Sequence, residues 1–215
     1  MKKIAITQRL LINEIYYECR EALDIRWGLL FKELGFLPIV LPTEYDFEIY
    51  FEALDIDGIC ITGGNDLNTL NPNELSKKRD EFEKRLIKYG IEQNIPIYGI
   101  CRGMQIIAEY FGCDLEEVEN QVNITHPLQI NPLSKFANKL KQLKHVNSFH
   151  TYRISSLHNS LLVSATHENG TIKAMEHKDY KIFAQMWHSE RESPFNPEEL
   201  DLIKSFFFQS YTANT

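Results

Sequence analysis

The chain has 215 residues, of which 43% are hydrophobic and 25% are charged, a composition typical of a folded protein rather than a disordered or fibrous one. Its 30 acidic residues outnumber 23 Lys and Arg residues, and the resulting net charge of -7 argues against nucleic acid as a partner. No apolar run approaches the ~18 residues of a membrane span, and the start is too weakly apolar for a secretory signal. We expect one domain over residues 1–215, located in the cytoplasm, with no membrane partner.

The first half of the chain alternates short apolar runs with longer segments of helical period, which is typical of β-α-β units. Strands are predicted at 4–7, 38–42, 58–62 and 95–100. Helices are predicted within 22–34, around Phe82, Leu86 and Tyr89, and from Cys101 to a stop at Gly112. This half therefore predicts a mostly parallel central sheet flanked by helices.

Beyond Gly112 the pattern shifts towards strands, which are predicted at 145–149, 161–166, 172–175 and 181–187. A closing helix follows, with Asn196 as its N-cap and Pro197 at its first helical position. The predicted fold class is α/β, with a smaller antiparallel strand region in the C-terminal half.

The sharpest chemical signal is Gly99-Ile100-Cys101-Arg102-Gly103, where a predicted strand gives way to a helix. Small residues on both sides of a nucleophile let the chain turn tightly and present the side chain. The helix N-terminus stabilises a thiolate, and the backbone amide of Arg102 can face a developing oxyanion. A structural cysteine in a tight turn is the alternative. None of the four cysteines forms a CxxC pair, so we expect free thiols.

A thiol nucleophile needs a base and a group that orients the base, and His188-Ser189-Glu190 offers both. If this segment continues a strand, His188 and Glu190 point to the same face and can hydrogen-bond to each other. Gly63 and Gly64 follow an earlier strand and leave bare amides at the same edge of the sheet, where a second oxyanion donor is expected. Each motif alone also fits an ordinary surface segment or glycine turn.

Five stretches carry motifs in a fixed order: 63–66 (GGND), Arg79-Asp80 with Glu83, 99–105 (GICRGMQ), 146–150 (VNSFH) and His188-x-Glu190. Together they resemble the class I glutamine amidotransferase superfamily, specifically its γ-glutamyl hydrolase branch, peptidase family C26. The resemblance implies a flavodoxin-like core. It implies a catalytic triad of Cys101, His188 and Glu190, with oxyanion donors in the backbone amides of Gly64 and Arg102.

The same resemblance implies a small-molecule substrate with a glutamyl group. Its α-amino and α-carboxylate ends would be held by Gln105, Asn147, Ser148 and His150. The implied reaction is hydrolysis of a γ-glutamyl amide through a cysteine thioester, which releases glutamate and needs no cofactor and no metal.

The sequence departs from the family pattern at two positions. Ser189 stands where the family usually has proline, which should loosen the turn without removing the triad. Tyr152 stands where the hydrolases often have glutamine, and its ring could stack on a nucleobase. Together with the resemblance of the whole chain to the family, this position implies a large anionic nucleotide as leaving group. The cations expected to bind its phosphates are Arg102, Lys77, Lys78 and Arg79.

Four alternatives stay open at this point. The chain can be a glutaminase subunit that supplies ammonia to a separate synthetase partner, or a hydrolase of another small γ-glutamyl amine. It can also be a scaffold that keeps the fold without activity, and Cys101, His188 and Glu190 could by residue type bind a metal. A homodimer is compatible with the sequence.

Overall fold

The structure is a computed structural model that describes residues 1–209. Its strands are, in chain order, β1 (Lys2–Ile6), β2 (Arg9–Asn13), β3 (Glu18–Ala22), β4 (Phe36–Val40), β5 (Gly58–Ile61), β6 (Ile97–Ile100), β7 (Asp114–Glu117), β8 (Val122–His126), β9 (Gln129–Ile130), β10 (Val146–Phe149), β11 (Tyr152–Ser156), β12 (Leu161–Thr166), β13 (Ile172–His177) and β14 (Ile182–Gln185). Its helices are α1 (Arg26–Leu34), α2 (Phe47–Leu54), α3 (Glu74–Glu92), α4 (Arg102–Tyr110), α5 (Ala137–Leu140) and α6 (Pro197–Phe208).

An eight-stranded sheet forms the centre, in the order β4-β1-β5-β6-β14-β13-β12-β9. The first five of these strands pair in parallel, and β13, β12 and β9 continue the same sheet in antiparallel fashion. Strands β5, β6 and β14 are buried along their whole length, as expected where both faces of a parallel sheet are covered. The predicted α/β fold with an antiparallel C-terminal region is confirmed.

Three neighbouring strands place the predicted site. Strands β5, β6 and β14 lie side by side, and they lead into Gly63-Gly64, Cys101 and His188 respectively. The carboxyl ends of parallel strands meet at one edge of a sheet, where ligands of α/β proteins bind. Motifs that are far apart in sequence therefore come together at one edge.

The helix predicted within 22–34 is found as α1, which is preceded by a β-hairpin. Strands β2 and β3 form a hairpin in which Arg9 pairs with Ala22, and α1 begins only at Arg26. The side chain of Asn65 accepts from the Leu10 amide at 3.0 Å and donates to the Leu10 carbonyl at 2.8 Å. Asn65 thus pairs with β2 as a neighbouring strand would. These non-local bonds outweigh the weak local preference for helix.

The C-terminal helix begins as predicted. The side chain of Asn196 accepts from the amides of Glu198 and Glu199, and Pro197 occupies the first turn. Helices α2 and α5 and the strands β2, β3, β7, β8, β9 and β11 were not predicted from the sequence. The prediction of one domain extends over 210–215, which lie outside the described residues.

Candidate active site

Cys101 lies at a strained turn between β6 and α4. Its backbone has φ 54° and ψ −107°, a conformation that a residue with a side chain adopts only when its surroundings hold it there. A Cβ on Gly103 would lie 2.0 Å from the carbonyl oxygen of Ile61, and one on Gly99 would lie 2.8 Å from that of Gly103. The two glycines of the G-x-C-x-G motif are therefore required for close backbone contact at this turn.

His188 and Glu190 form a buried pair beside the cysteine. The Nδ1 of His188 lies 2.5 Å from Oε1 of Glu190, and the imidazole is near enough to the Cys101 thiol to lower its pKa. With Nδ1 facing the carboxylate, Nε2 is the nitrogen left for the sulfur. The structure therefore brings the three predicted residues together in the order carboxylate, imidazole, thiol.

The proximity of His188 and Glu190 does not come from the expected alternation of side chains along a strand. Strand β14 ends at Gln185, and Ser189–Arg191 form a single 3₁₀ turn that carries Glu190 back towards His188. The turn does not depend on proline to hold it, because the Ser189 hydroxyl accepts a hydrogen bond from the side-chain Nε2 of Gln185 at 2.9 Å. The expected loosening at Ser189 is thus offset by a buried hydrogen bond.

Asn147 fixes the backbone of the histidine. Its side-chain oxygen accepts from the His188 amide at 2.8 Å, and its side-chain nitrogen donates to the His188 carbonyl at 2.9 Å. The same nitrogen also donates to Glu192 at 2.5 Å. The contacts of this side chain in the structure are thus with the chain itself. Its predicted contact with a glutamyl group stays a prediction.

The electrostatics of the pair favour a thiolate. Burial alone would raise the pKa of the Cys101 thiol, but the charge and hydrogen bond of His188 outweigh it, and the pKa is lowered. Burial would likewise lower the pKa of His188, but Cys101 and Glu190 outweigh it and raise that pKa. The two shifts have one cause, because thiolate and imidazolium stabilise each other.

The predicted oxyanion donors lie around the thiol. A Cβ on Gly63 would lie 2.9 Å from Cε1 of His188 and 3.7 Å from Cβ of Cys101, so this glycine touches both catalytic candidates. Gly64 has φ 124°, a conformation that glycine adopts readily. The amide of Arg102 is at the first helical position, where a helix offers no internal acceptor. The position fits an oxyanion hole, and that role stays a prediction.

Four charged side chains lie buried behind the turn, and we call them the arginine cluster: Arg79, Asp80, Glu83 and Arg102. Arg79 Nε lies 2.9 Å from Glu83 Oε1, and the Arg102 guanidinium binds both Glu83 and Asp80. Asp80 also accepts from the Asn68 amide at 2.8 Å. The cluster carries two positive and two negative charges, so its net charge is zero. It ties α3 and α4 to the loop after Gly63-Gly64.

This burial corrects the prediction of cations for a phosphorylated ligand. The side chains of Arg79 and Arg102 are about 1% exposed and already paired. Lys77 and Lys78 border a groove on α3 together with Glu44 and Glu74, and Lys78 is paired with Glu44. These residues are close to the site motifs in sequence. In the structure, however, their charges are paired within the protein or border the groove on α3.

A second buried group lies on the opposite side of the cysteine, and we call it the lysine cluster: Gln121, Ser148, His150 and Lys173. The Lys173 Nζ contacts Gln121 Oε1 at 2.7 Å, Ser148 Oγ at 3.1 Å and His150 Nε2 at 2.7 Å. No carboxylate pairs with Lys173 in the part of the chain that the structure describes. Burial lowers the pKa of Lys173 to about 7, against the attraction of the Cys101 sulfur.

His150 connects this cluster to Gln105. Its Nδ1 lies 3.0 Å from the Tyr152 carbonyl, which also accepts from the Gln105 side chain at 3.2 Å. Burial, followed by the charge of Lys173, lowers the pKa of His150 to about 3, so the ring is neutral. Lys173 and Gln121 were not predicted as site residues. The available signal was a lysine within the apolar run Ile172-Lys173-Ala174.

The groove that Tyr152 borders does not include His188 in its wall. Its volume is about 520 Å³, and Glu117, Glu119 and Asn120 also border it. Two carboxylates in that wall disfavour a phosphorylated ligand. The predicted stacking of Tyr152 on a nucleobase therefore stays a prediction without support from its surroundings.

A cavity of about 260 Å³ opens on the side of the thiol where the histidine lies, and we call it the histidine-side cavity. Its wall includes Arg9, Trp27, Gly64, His188 and Arg191. The β2–β3 hairpin forms part of this wall, because Asn65 holds Leu10 against the glycine loop. Arg9 and Arg191 are candidate binding residues that the sequence motifs did not indicate.

Within residues 1–209, no group of three or more His, Cys, Asp and Glu side chains is arranged to hold a metal ion. Glu190 contacts the nitrogen of His188 that faces away from the thiol, so the triad does not converge on one point. No helix in the same part of the chain is long and apolar enough to cross a membrane.

Comparison with known proteins adds to this geometry. The model of the Peptidase C26 family matches residues 13–190. The γ-glutamyl-CDP-amidate hydrolase of Campylobacter jejuni is 41% identical over 207 residues, which cover 95% of this chain and 96% of that protein. A structure described as a GMP synthase subunit from Thermoplasma acidophilum has a TM-score of 0.72 at 21% identity, covering 96% and 92% of the two chains. A glutamine amidotransferase from Thermotoga maritima has a TM-score of 0.63 at 17% identity, covering 95% and 83%.

Proposed function

The chain belongs to the peptidase C26 family, and from this premise we propose that it hydrolyses a γ-glutamyl amide through a thioester on Cys101. The observation that carries the proposal is the buried contact of 2.5 Å between His188 and Glu190, with the imidazole near the Cys101 thiol, whose pKa it lowers. A nucleophile, a base and an orienting carboxylate in this arrangement are suited to acyl transfer.

In the proposed first step, the Cys101 thiolate attacks the γ-carbonyl carbon and the carbonyl electrons move to oxygen. The amides of Gly64 and Arg102 donate to this oxyanion. The oxyanion then collapses, the C–N bond breaks, and protonated His188 gives its proton to the departing nitrogen.

In the second step, water attacks the thioester carbonyl while neutral His188 accepts a proton from it. The second tetrahedral intermediate expels the Cys101 sulfur, and the imidazolium and thiolate are restored as glutamate leaves. Glu190 keeps Nδ1 in place in both steps and stabilises the positive imidazolium. Every proton and electron pair is supplied by the chain, the amide and water.

We further propose γ-glutamyl-CDP-amidate as the substrate, with cytidine diphosphoramidate as the product for capsule modification. The support is the identity of 41% over nearly the whole length of the C. jejuni enzyme, which acts on that compound by its name. A matched screen tests the proposal, in which release of glutamate is measured from γ-glutamyl-CDP-amidate, from glutamine and from small γ-glutamyl amines.

We expect kcat/KM for the nucleotide amide to exceed that for glutamine by several decades. Glutamine as the best substrate would favour the ammonia-donor function and contradict the proposed specificity. No glutamate from any amide would contradict hydrolysis itself.

A further inference from the structure

The position of His188 decides where the leaving group lies. The imidazole has to reach the departing nitrogen, so the leaving group extends to the side of the thiol on which His188 lies. The histidine-side cavity, with His188 and Gly64 in its wall, opens there. Gln105 and the lysine cluster occupy the other side, which leaves that side for the glutamyl end.

Two arginines give this cavity its charge. The guanidinium of Arg9 makes no hydrogen bond or ion pair with any other described residue, and its Nε lies 2.9 Å from the position a Cβ on Gly64 would take. Arg9 therefore lies directly over the predicted oxyanion loop. Arg191 approaches Glu190 only to 3.8 Å, and its guanidinium stacks on the Phe149 ring at 4.6 Å. Both guanidinium groups keep donors for a ligand.

The same wall holds two acidic groups, Asp24 and Glu190, and one oxygen of each has a partner in the protein. Glu190 accepts from His188, and the Asp24 carboxylate accepts from the Arg26 amide at 2.9 Å. Arginine binds phosphate oxygens with two parallel hydrogen bonds, so two arginines that keep free donors are suited to a phosphorylated group. The cations that the sequence motifs indicated, Arg79, Arg102, Lys77 and Lys78, are paired within the protein or border another groove. Arg9 and Arg191 are therefore the phosphate-binding candidates in this cavity.

We propose that Arg9 and Arg191 bind the phosphates of a phosphorylated leaving group in the histidine-side cavity, and so determine leaving-group specificity. This inference rests on the proposed function and names the residues that recognise the leaving group. Arg9 belongs to the hairpin, and Arg191 follows the triad directly. The two cations thus reach the leaving group from two different segments of the cavity wall.

The kinetic test compares two substrates in the same variants. Glutamate release is measured from γ-glutamyl-CDP-amidate and from γ-glutamyl-p-nitroanilide, whose leaving group is uncharged. We expect Arg9→Gln and Arg191→Gln each to lower the ratio of the two kcat/KM values roughly 10- to 100-fold, mainly through KM for the nucleotide amide. The matched control is Arg20→Gln on the same hairpin, because Arg20 is exposed and binds Glu18 and Tyr16. This control should keep the wild-type ratio.

An unchanged ratio in both cavity variants overturns the inference, as does a ratio that falls equally in Arg20→Gln. Added salt should lower kcat/KM for the nucleotide amide more than for the anilide in the wild type, because exposed charges are screened.

A binding measurement separates failure of the inference from failure of the proposed function. Cytidine diphosphate and inorganic pyrophosphate are titrated into the Cys101→Ala variant by calorimetry, with and without Arg9→Gln and Arg191→Gln. Binding that the two substitutions abolish supports the anion subsite even if no γ-glutamyl amide is hydrolysed. Absence of binding at millimolar concentrations, or binding that the substitutions leave intact, overturns the subsite even if hydrolysis is found.

Discussion

Two buried polar clusters flank Cys101, and they differ in how their charges are balanced. In the arginine cluster, Arg79 and Arg102 face Glu83 and Asp80, and the four charges cancel. In the lysine cluster, the Lys173 ammonium hydrogen-bonds, among residues 1–209, to the neutral side chains of Gln121, Ser148 and His150. Both clusters are buried, but the arginine cluster presents no net charge to the Cys101 sulfur, whereas the lysine cluster presents the charge of Lys173.

The balanced cluster acts as a scaffold. Its ion pairs satisfy one another, so its main effect is to lock α3 and α4 around the strained turn. The unbalanced cluster acts through its charge. The pKa of Lys173 is lowered to about 7 by burial, and the Cys101 sulfur is the group that opposes this shift. The protonation of Lys173 is thus linked to the charge of the nucleophile.

The largest expected effect comes from the residue between the clusters. Cys101→Ala removes the nucleophile and should lower glutamate release by about 10⁴-fold or more. The circular dichroism spectrum should not change, because neither cluster loses a contact. Cys19→Ser is the matched control, since Cys19 is an exposed free thiol and should not be needed. Substantial turnover by Cys101→Ala would rule out the covalent route.

The next effect concerns the histidine and its carboxylate. His188→Asn should lower kcat by several orders of magnitude, because both proton transfers are lost. Glu190→Gln should lower kcat less, since it leaves the imidazole in place and removes only its orientation and charge stabilisation. Single-turnover measurement of glutamate release compares the two. A greater loss in Glu190→Gln than in His188→Asn would contradict the assigned roles.

Breaking the arginine cluster should mainly cost stability. Glu83→Ala leaves two buried guanidinium groups without their shared partner, and removal of one member of a buried pair typically costs about 3–5 kcal/mol. Urea denaturation followed by circular dichroism measures the free energy of unfolding. Glu92→Ala is the control, because its ion pair with Lys88 is exposed. Equal stability of the two variants would show that the cluster is not a scaffold.

The sequence indicated the site where its signals are local. The turn at Cys101 is coded by glycines two residues away, and the helix start at Asn196 by its own cap. It missed Lys173, because a lysine in an apolar strand does not reveal whether its charge meets a carboxylate or neutral groups. It also missed Arg9, whose place over Gly64 depends on the pairing of Leu10 with Asn65, 55 residues away. The sequence motif indicates Arg79 and Arg102 as ligand-binding cations. This prediction is wrong, because tertiary packing buries both side chains, and a local motif does not show burial.

The last expected effect tests the unbalanced cluster through pH. The pKa of Lys173 is about 7 in the folded chain, whereas an unfolded lysine titrates near 10.4. Between these values the unfolded chain binds a proton that the folded chain does not, so the free energy of unfolding should rise with pH across this window. Its slope from this group is at most about 1.4 kcal/mol per pH unit.

Lys173→Met should remove that contribution and flatten the profile between pH 7 and pH 10, as measured by urea denaturation at several pH values. Lys88→Met is the matched control, since the Lys88 side chain is 66% exposed and should leave the wild-type slope intact. The Glu83→Ala profile should keep the wild-type slope as well, because the lysine cluster is unaltered in that variant. If Lys173→Met keeps the wild-type slope, Lys173 is not a buried cation without a counter-charge, and the contrast between the two clusters does not hold.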